Sequence, residues 1–207
     1  MAESFRRFTA IAAPYDPVNV DTDQILPARF LKFPRSEGYG EFLFHDLRYG
    51  DDGTVNEAFV LNKAPYRSAG IIVGNENFGC GSSREGAAYA LHDYGIRSVI
   101  APSFSDIFYN NCLRNGMVPA RLTGPQCAQL RKLLDAHPGT ALTVDLERQQ
   151  VLAPGGQAYP FVVDEFSREL LLEGLDEVGL TLGMLPEIDA FEAVYVAAMP
   201  WVSPRWP

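Results

Sequence analysis

Ala69-Gly70-Ile71-Ile72-Val73-Gly74, then Asn75-Glu76-Asn77-Phe78-Gly79-Cys80-Gly81-Ser82-Ser83-Arg84-Glu85, is the stretch of sequence that decides the fold. The first six residues form a short apolar run rich in β-branched side chains, as in a strand buried on both faces. A loop with glycines at 74, 79 and 81 follows. Beyond it Ala87, Ala90, Leu91 and Tyr94 fall at i, i+3, i+4 and i+7, so the spacing predicts a helix that begins near Ser83 and ends at Gly95. Ser98 to Ala101 reads as a second buried strand. Strand, helix and strand in so short a span make a βαβ unit with two parallel strands.

The pattern extends outward in both directions. Upstream, Phe8 to Ala13 is a plausible strand closed by Pro14, Pro17 to Asp23 an irregular polar segment, Phe33 to Gly40 a loop, Glu41 to Tyr49 a short helix and Asp51 to Gly53 a turn. Downstream, Ser105 to Asn115 is helical, Val118 to Leu122 extended, and Thr123-Gly124-Pro125 opens a helix that runs to His137. Ala141 to Leu146, Gln150 to Leu152 and Ala158 to Val163 then alternate as a meander. Asp164 can cap a helix from Glu165 to Glu173 that Gly174 stops. A final helix, Pro186 to Ala198, carries Ile188, Phe191, Tyr195 and Ala198 on one face, and a tail from Pro200 holds both tryptophans and docks on the chain itself or on a partner. The 207 residues therefore read as a single domain, 1–207, with a C-terminal helix and tail from about 186.

Seventeen Lys and Arg face 26 Asp and Glu, a net charge of −9, which argues against a nucleic-acid partner. The longest uncharged apolar run, Ala193 to Val202, is interrupted by Pro200 and is too short to span a bilayer. Cys80, Cys112 and Cys127 form no C-x-x-C pair, so no zinc or iron-sulfur ligand set is visible. An odd number of cysteines without a secretory signal fits a reducing cytoplasm.

A strand, a glycine-rich turn and a helix N-terminus make an anion site, since free backbone N–H groups and the helix dipole converge there. Phosphate motifs do not fit. Gly74 and Gly79 have the Walker spacing, but Cys80-Gly81 follows where Gly-Lys-[Ser/Thr] is required, and Arg84 stands where the dinucleotide fingerprint needs its third glycine. The loop offers Ser82, Ser83 and Arg84 instead. Arg84 is a planar fork suited to a carboxylate. A serine beside it has its alkoxide stabilised and can serve as a base toward a carbon acid, with Ser83 better placed as a helix cap and Ser82 further out in the loop. The bland alternative makes both serines caps and pairs Arg84 with a surface acid. Likewise Asp21, Thr22 and Asp23 read first as turn residues bonded to their own backbone.

Asn77-Phe78-Gly79-Cys80-Gly81-Ser82-Ser83-Arg84-Glu85, with Asp93-Tyr94-Gly95 and Ile100 to Phe108 after it, closely resembles the small-subunit family of the 3-isopropylmalate dehydratases, which corresponds to the swivelling C-terminal domain of the aconitase superfamily. The resemblance includes Asn19 to Pro27 and Arg29-Phe30-Leu31 upstream, and Gly174-Leu175-Asp176 and Gly179 to Leu182 downstream. It implies an α/β fold of the swivelling β/β/α kind with a largely parallel sheet. It also implies a hydro-lyase that interconverts 2- and 3-isopropylmalate in leucine biosynthesis, working with a large subunit in a heterodimer or heterotetramer. That partner carries a 4Fe-4S cluster, a Lewis acid for the substrate hydroxyl; this chain binds no metal. In the family's pattern Ser82 removes the proton next to a carboxylate, Arg84 binds a substrate carboxylate with Ser83 beside it, and Arg35 is the nearest match to a loop arginine that contributes to substrate choice. Asp21, Thr22, Asp23, Gly79 and Gly81 shape the loop beside the cleft.

The chain departs from the family at one position. Most members have histidine after the motif glutamate, where this chain has Gly86. The side chain missing at Gly86 bears on which substrate fits. Citraconate, dimethylmalate or another substituted malate is the alternative, and a stand-alone carboxylate-binding module is the reading from outside enzymology.

Overall fold

A computed structural model of the chain describes residues 3–81, 84–199 and 201–202. Its strands are β1 (Arg7–Pro14), β2 (Ile71–Val73), β3 (Ser98–Ala101), β4 (Val118–Arg121), β5 (Ala141–Asp145), β6 (Gln150–Leu152) and β7 (Ala158–Pro160). They form one sheet in the order β4-β3-β2-β1-β5-β6-β7. β1 to β4 are parallel, with Ala12 opposite Ile71 and Ile72 opposite Val99. β5, β6 and β7 continue from β1 as an antiparallel meander, so β6 runs with the parallel set and five of seven strands share one direction.

Alternation along the central strands divides the interior in two. Ala13, Ile72, Val99 and Ala101 enter one core, while Ala12, Ile71, Val73 and Ile100 enter the other. The first core is closed by α4 (Gly86–Tyr94) through Ala87, Ala88, Ala90 and Leu91, and by α5 (Asp106–Arg114) through Phe108 and Cys112. Three one-turn helices, α1 (Thr22–Ile25), α2 (Tyr39–Phe42) and α3 (His45–Arg48), complete that side. The second core is covered by α6 (Gly124–Ala136), whose Cys127, Leu130 and Leu134 are buried, and by Leu171 of α7 (Glu165–Glu173).

Several boundaries differ from the sequence reading. The helix expected over Glu41–Tyr49 is two short ones, because Phe44 sits between them in the left-handed region (φ 48°). That kink turns the Phe44 ring into the core, 5.2 Å from the Tyr15 ring, and its amide donates to Ile25 O at 2.7 Å. Packing overrides helix continuity there. The polar segment before it is not wholly irregular. Asp21 caps α1, accepting from Asp23 N at 2.7 Å while Gln24 reaches back to the Asp21 amide at 3.1 Å. The motif helix begins at Gly86 rather than near Ser83, with Glu85 as an uncapped N-cap. A helix not anticipated, α8 (Glu177–Gly183), precedes α9 (Leu185–Ala198), and neither contributes a residue to either core. No helix among the described residues is long and apolar enough to cross a membrane.

Candidate active site

The motif loop leaves the end of β2 and is held between two other segments. On one side Gly79 N and Cys80 N both donate to Val20 O (2.8 and 3.0 Å), and Thr22 N donates to Cys80 O at 2.8 Å. On the other, Phe78 N donates to Ser103 O at 3.0 Å and Asn77 N to Ser103 Oγ at 2.8 Å. The loop thus pairs as an extra strand with Asp21 before it and Phe104 after it, both in parallel sense. Three stretches far apart in sequence, 19–23, 77–81 and 103–105, meet at one point.

Two glycines make this approach possible. Gly79 (φ +74°) lies so close to Phe108 that a Cβ would sit 2.1 Å from the ring, and Gly81 (φ +92°) would place one 2.2 Å from Asp21 Oδ2. Both the backbone angle and the space exclude a side chain. Asp21 therefore does two things at once: it caps α1 and walls the loop at Gly81.

Past the loop, Arg84 is half exposed, and its Nη1 lies 3.7 Å from Asp23 Oδ1. An exposed pair at that separation is weak, so the guanidinium can be given up to another carboxylate at little cost. Glu85 is anchored, accepting from Asn115 Nδ2 at 2.8 Å at the end of α5. Ser82 and Ser83 lie outside the described residues, between Gly81 and Arg84. The reading of Ser83 as a helix cap does not fit a helix that starts at Gly86 with Glu85 in the cap position. Asp21 and Thr22 bond to the backbone of their own segment and of the motif loop, and Asp23 meets Arg84.

Arg35 is placed differently from the motif residues. Its Nε and Nη2 grip Asp93 at 3.0 and 2.6 Å, and its guanidinium lies 4.2 Å above the Tyr89 ring. This pins the loop onto the last turns of α4, about 10 Å along the axis from the first turn at 1.5 Å per residue. The Asp93 carboxylate raises the Arg35 pKa further, so its charge is constant. Its guanidinium is also within electrostatic reach of Glu85, the residue after Arg84.

Some supports were not foreseen. Buried Arg131 of α6 donates to Gly74 O at 2.5 Å and to Asp16 at 2.9 Å, tying the start of the motif loop to the exit of β1. Asn77 Nδ2 donates to Asn19 Oδ1 at 2.8 Å, and both residues have positive φ. Asparagine tolerates that region better than other side chains, so Asn19 in the polar segment and Asn77 in the glycine loop were the available signal.

The thiols do not suit a metal cluster. Cys112 lies in the first core, Cys127 in the second and Cys80 in the motif loop. Burial, reinforced by the charge of Asp21, raises the pKa of Cys80 and keeps it a thiol. Among the described residues no three His, Cys, Asp or Glu come together to hold a metal ion.

Known proteins match nearly the whole length. Three family models match: the Aconitase C-terminal domain over residues 2–125, LeuD_N over 128–165, and the C-terminal domain of the 3-isopropylmalate dehydratase small subunit over 177–205. The chain is 52% identical over 199 residues to the 3-isopropylmalate dehydratase small subunit of Gluconacetobacter diazotrophicus, covering 96% of both chains. To the protein of the same name from Dinoroseobacter shibae it is 50% identical over 200 residues, covering 97% of this chain and all of that one. A crystal structure of 3-isopropylmalate dehydratase from Methanocaldococcus jannaschii superposes with a TM-score of 0.65 at 25% identity, covering 89% of this chain and 99% of that one.

Proposed function

The chain belongs to the family of 3-isopropylmalate dehydratase small subunits, within the aconitase C-terminal domain group, and from that premise we propose that it is the small subunit of a hydro-lyase interconverting 2- and 3-isopropylmalate. One observation carries the reading: relatives of that name share about half of all residues over 96% of both chains. The complex serves leucine biosynthesis in the cytoplasm, and a large subunit bears the 4Fe-4S cluster. That cluster supplies a Lewis acid for the substrate hydroxyl when present, and no thiol of this chain takes part in holding it.

This chain's own work concerns a proton and a carboxylate. Arg84 grips a substrate carboxylate through two parallel N–H···O bonds, releasing Asp23. As the proton on the neighbouring carbon leaves, negative charge moves onto that carboxylate, where the fixed guanidinium stabilises it. Ser82 Oγ takes the proton on dehydration and returns it on hydration, and Ser83 adds a hydrogen bond to the same anion. What supports these roles is their setting: a loop clamped on both sides, walled by Asp21, with a loosely paired arginine at its mouth. Arg35, held on α4 by Asp93 and Tyr89, contributes to substrate choice from its loop.

The roles are tested in the complex reconstituted anaerobically with the large subunit. Ser82→Ala lowers kcat roughly 10²–10⁴-fold with KM little changed, the range for loss of a positioned base, and Arg84→Lys raises KM. Unchanged turnover in Ser82→Ala removes the serine from the mechanism.

A further inference from the structure

The C-terminal helices are built for burial, yet the isolated chain leaves them bare. On α9, Phe191, Val194 and Tyr195 project on one side and Leu185 and Val196 on another; Phe191 is 64% exposed and Val194 71%. The exposed apolar surface continues through Val178 and Leu182 of α8 and through Trp201, which is 78% exposed. α8 also borders a groove of about 480 Å³ in which Phe166, Leu170, Leu175 and Val178 sit beside the charged Arg114 and Asp176. Large apolar side chains on two sides of one helix are normally covered, and an exposed apolar patch of this extent marks an interaction site.

The charge of the segment selects the occupant. Between residues 176 and 202 there are five acids, Asp176, Glu177, Glu187, Asp189 and Glu192, and no Lys, Arg or His. A second copy would bring the same acids on a chain of net charge −9, which disfavours self-pairing. The family model over 177–205 is described for the small subunit of a dehydratase, separately from the aconitase C-terminal domain matched over 2–125. The arm is thus additional to the domain that carries the motif loop.

We propose that α8, α9 and Trp201 form an arm that clasps the large subunit, seated in an apolar groove edged by lysines and arginines. This rests on the small-subunit reading above and adds the surface through which assembly occurs. Phe191 and Val194 anchor the contact, and Glu187, Asp189 and Glu192 steer it.

The test measures affinity for the large subunit by sedimentation or surface binding, using the full-length chain. Phe191→Asp with Val194→Asp weakens the complex at least 100-fold, while the circular dichroism and melting of the small subunit alone are unchanged because those side chains touch no core. Val162→Asp, at an equally exposed apolar residue outside the arm, binds as wild type. Glu187→Gln with Asp189→Asn and Glu192→Gln slows association and flattens its salt dependence. Activity of the double variant falls at limiting large subunit and returns to the wild-type kcat when that subunit is in excess. Wild-type affinity in the double variant, no binding of the wild-type chain to the large subunit, or a wild-type homodimer that the variant dissolves overturns the proposal. A complex that assembles through the arm but hydrates no isopropylmaleate leaves the arm standing and refutes the substrate reading.

Discussion

Cys112 and Cys127 show how residue chemistry follows from placement. Each is buried in apolar surroundings, which pushes the Cys127 thiol up to about 11 and Cys112 further still. The attacking species toward disulfide reagents is the thiolate, and at pH 8 both residues are almost wholly protonated. Only Cys80 is partly accessible. The folded chain therefore reacts with Ellman's reagent at one thiol per molecule at pH 8, slowly because the Cys80 pKa is also raised, and at three in denaturant. Two or more fast thiols in the native chain contradict this packing. At the same scale, Arg84 and the two loop glycines were legible in the sequence because their chemistry is local. The partners of Arg35 were not, since the Asp93 and Tyr89 that engage it lie 58 and 54 positions away and only the fold brings them near. Arg131 was hidden for the same reason: nothing around it in sequence points to the Gly74 carbonyl.

Packing of elements around α4 makes a sharper contrast between two glycines. A Cβ on Gly40 would lie 2.7 Å from the Asp93 carbonyl and the Tyr94 amide, backbone that cannot move without shifting α4 against α2. A Cβ on Gly86 would meet methyl groups of Leu31 and Leu26 at 2.7 and 2.8 Å, the free ends of flexible side chains. Gly40→Ala should destabilise the chain by about 1–3 kcal/mol, the usual cost of overpacking. Gly86→Ala should stay within about 1 kcal/mol, because leucine repacking is offset by better helix propensity. Denaturant unfolding of the two variants measures the difference, and equal losses would mean that the leucines are as rigid as backbone. The same elements show what periodicity can reveal. β2, α4 and β3 were readable because burial on both faces and a 3.6-residue stripe leave unambiguous patterns. The break at Phe44 left none, since it is decided by ring packing against Tyr15 and Phe59.

Taken whole, the molecule is a sheet with two finished cores and one unfinished surface. The net charge of −9 argues against one class of partner without indicating where another would bind. The exposed α9 supplies that location, and the sequence reading, which treated Ile188, Phe191 and Tyr195 as one apolar face, missed that the helix is uncovered on all sides. The most direct measurement is the hydration rate of isopropylmaleate, beside citraconate and dimethylmaleate, by the complex of this chain with its large subunit prepared without oxygen. The account predicts that isopropylmaleate has the highest kcat/KM of the three and yields 2- and 3-isopropylmalate; a higher value for citraconate or dimethylmaleate, or no hydration of any, would contradict it.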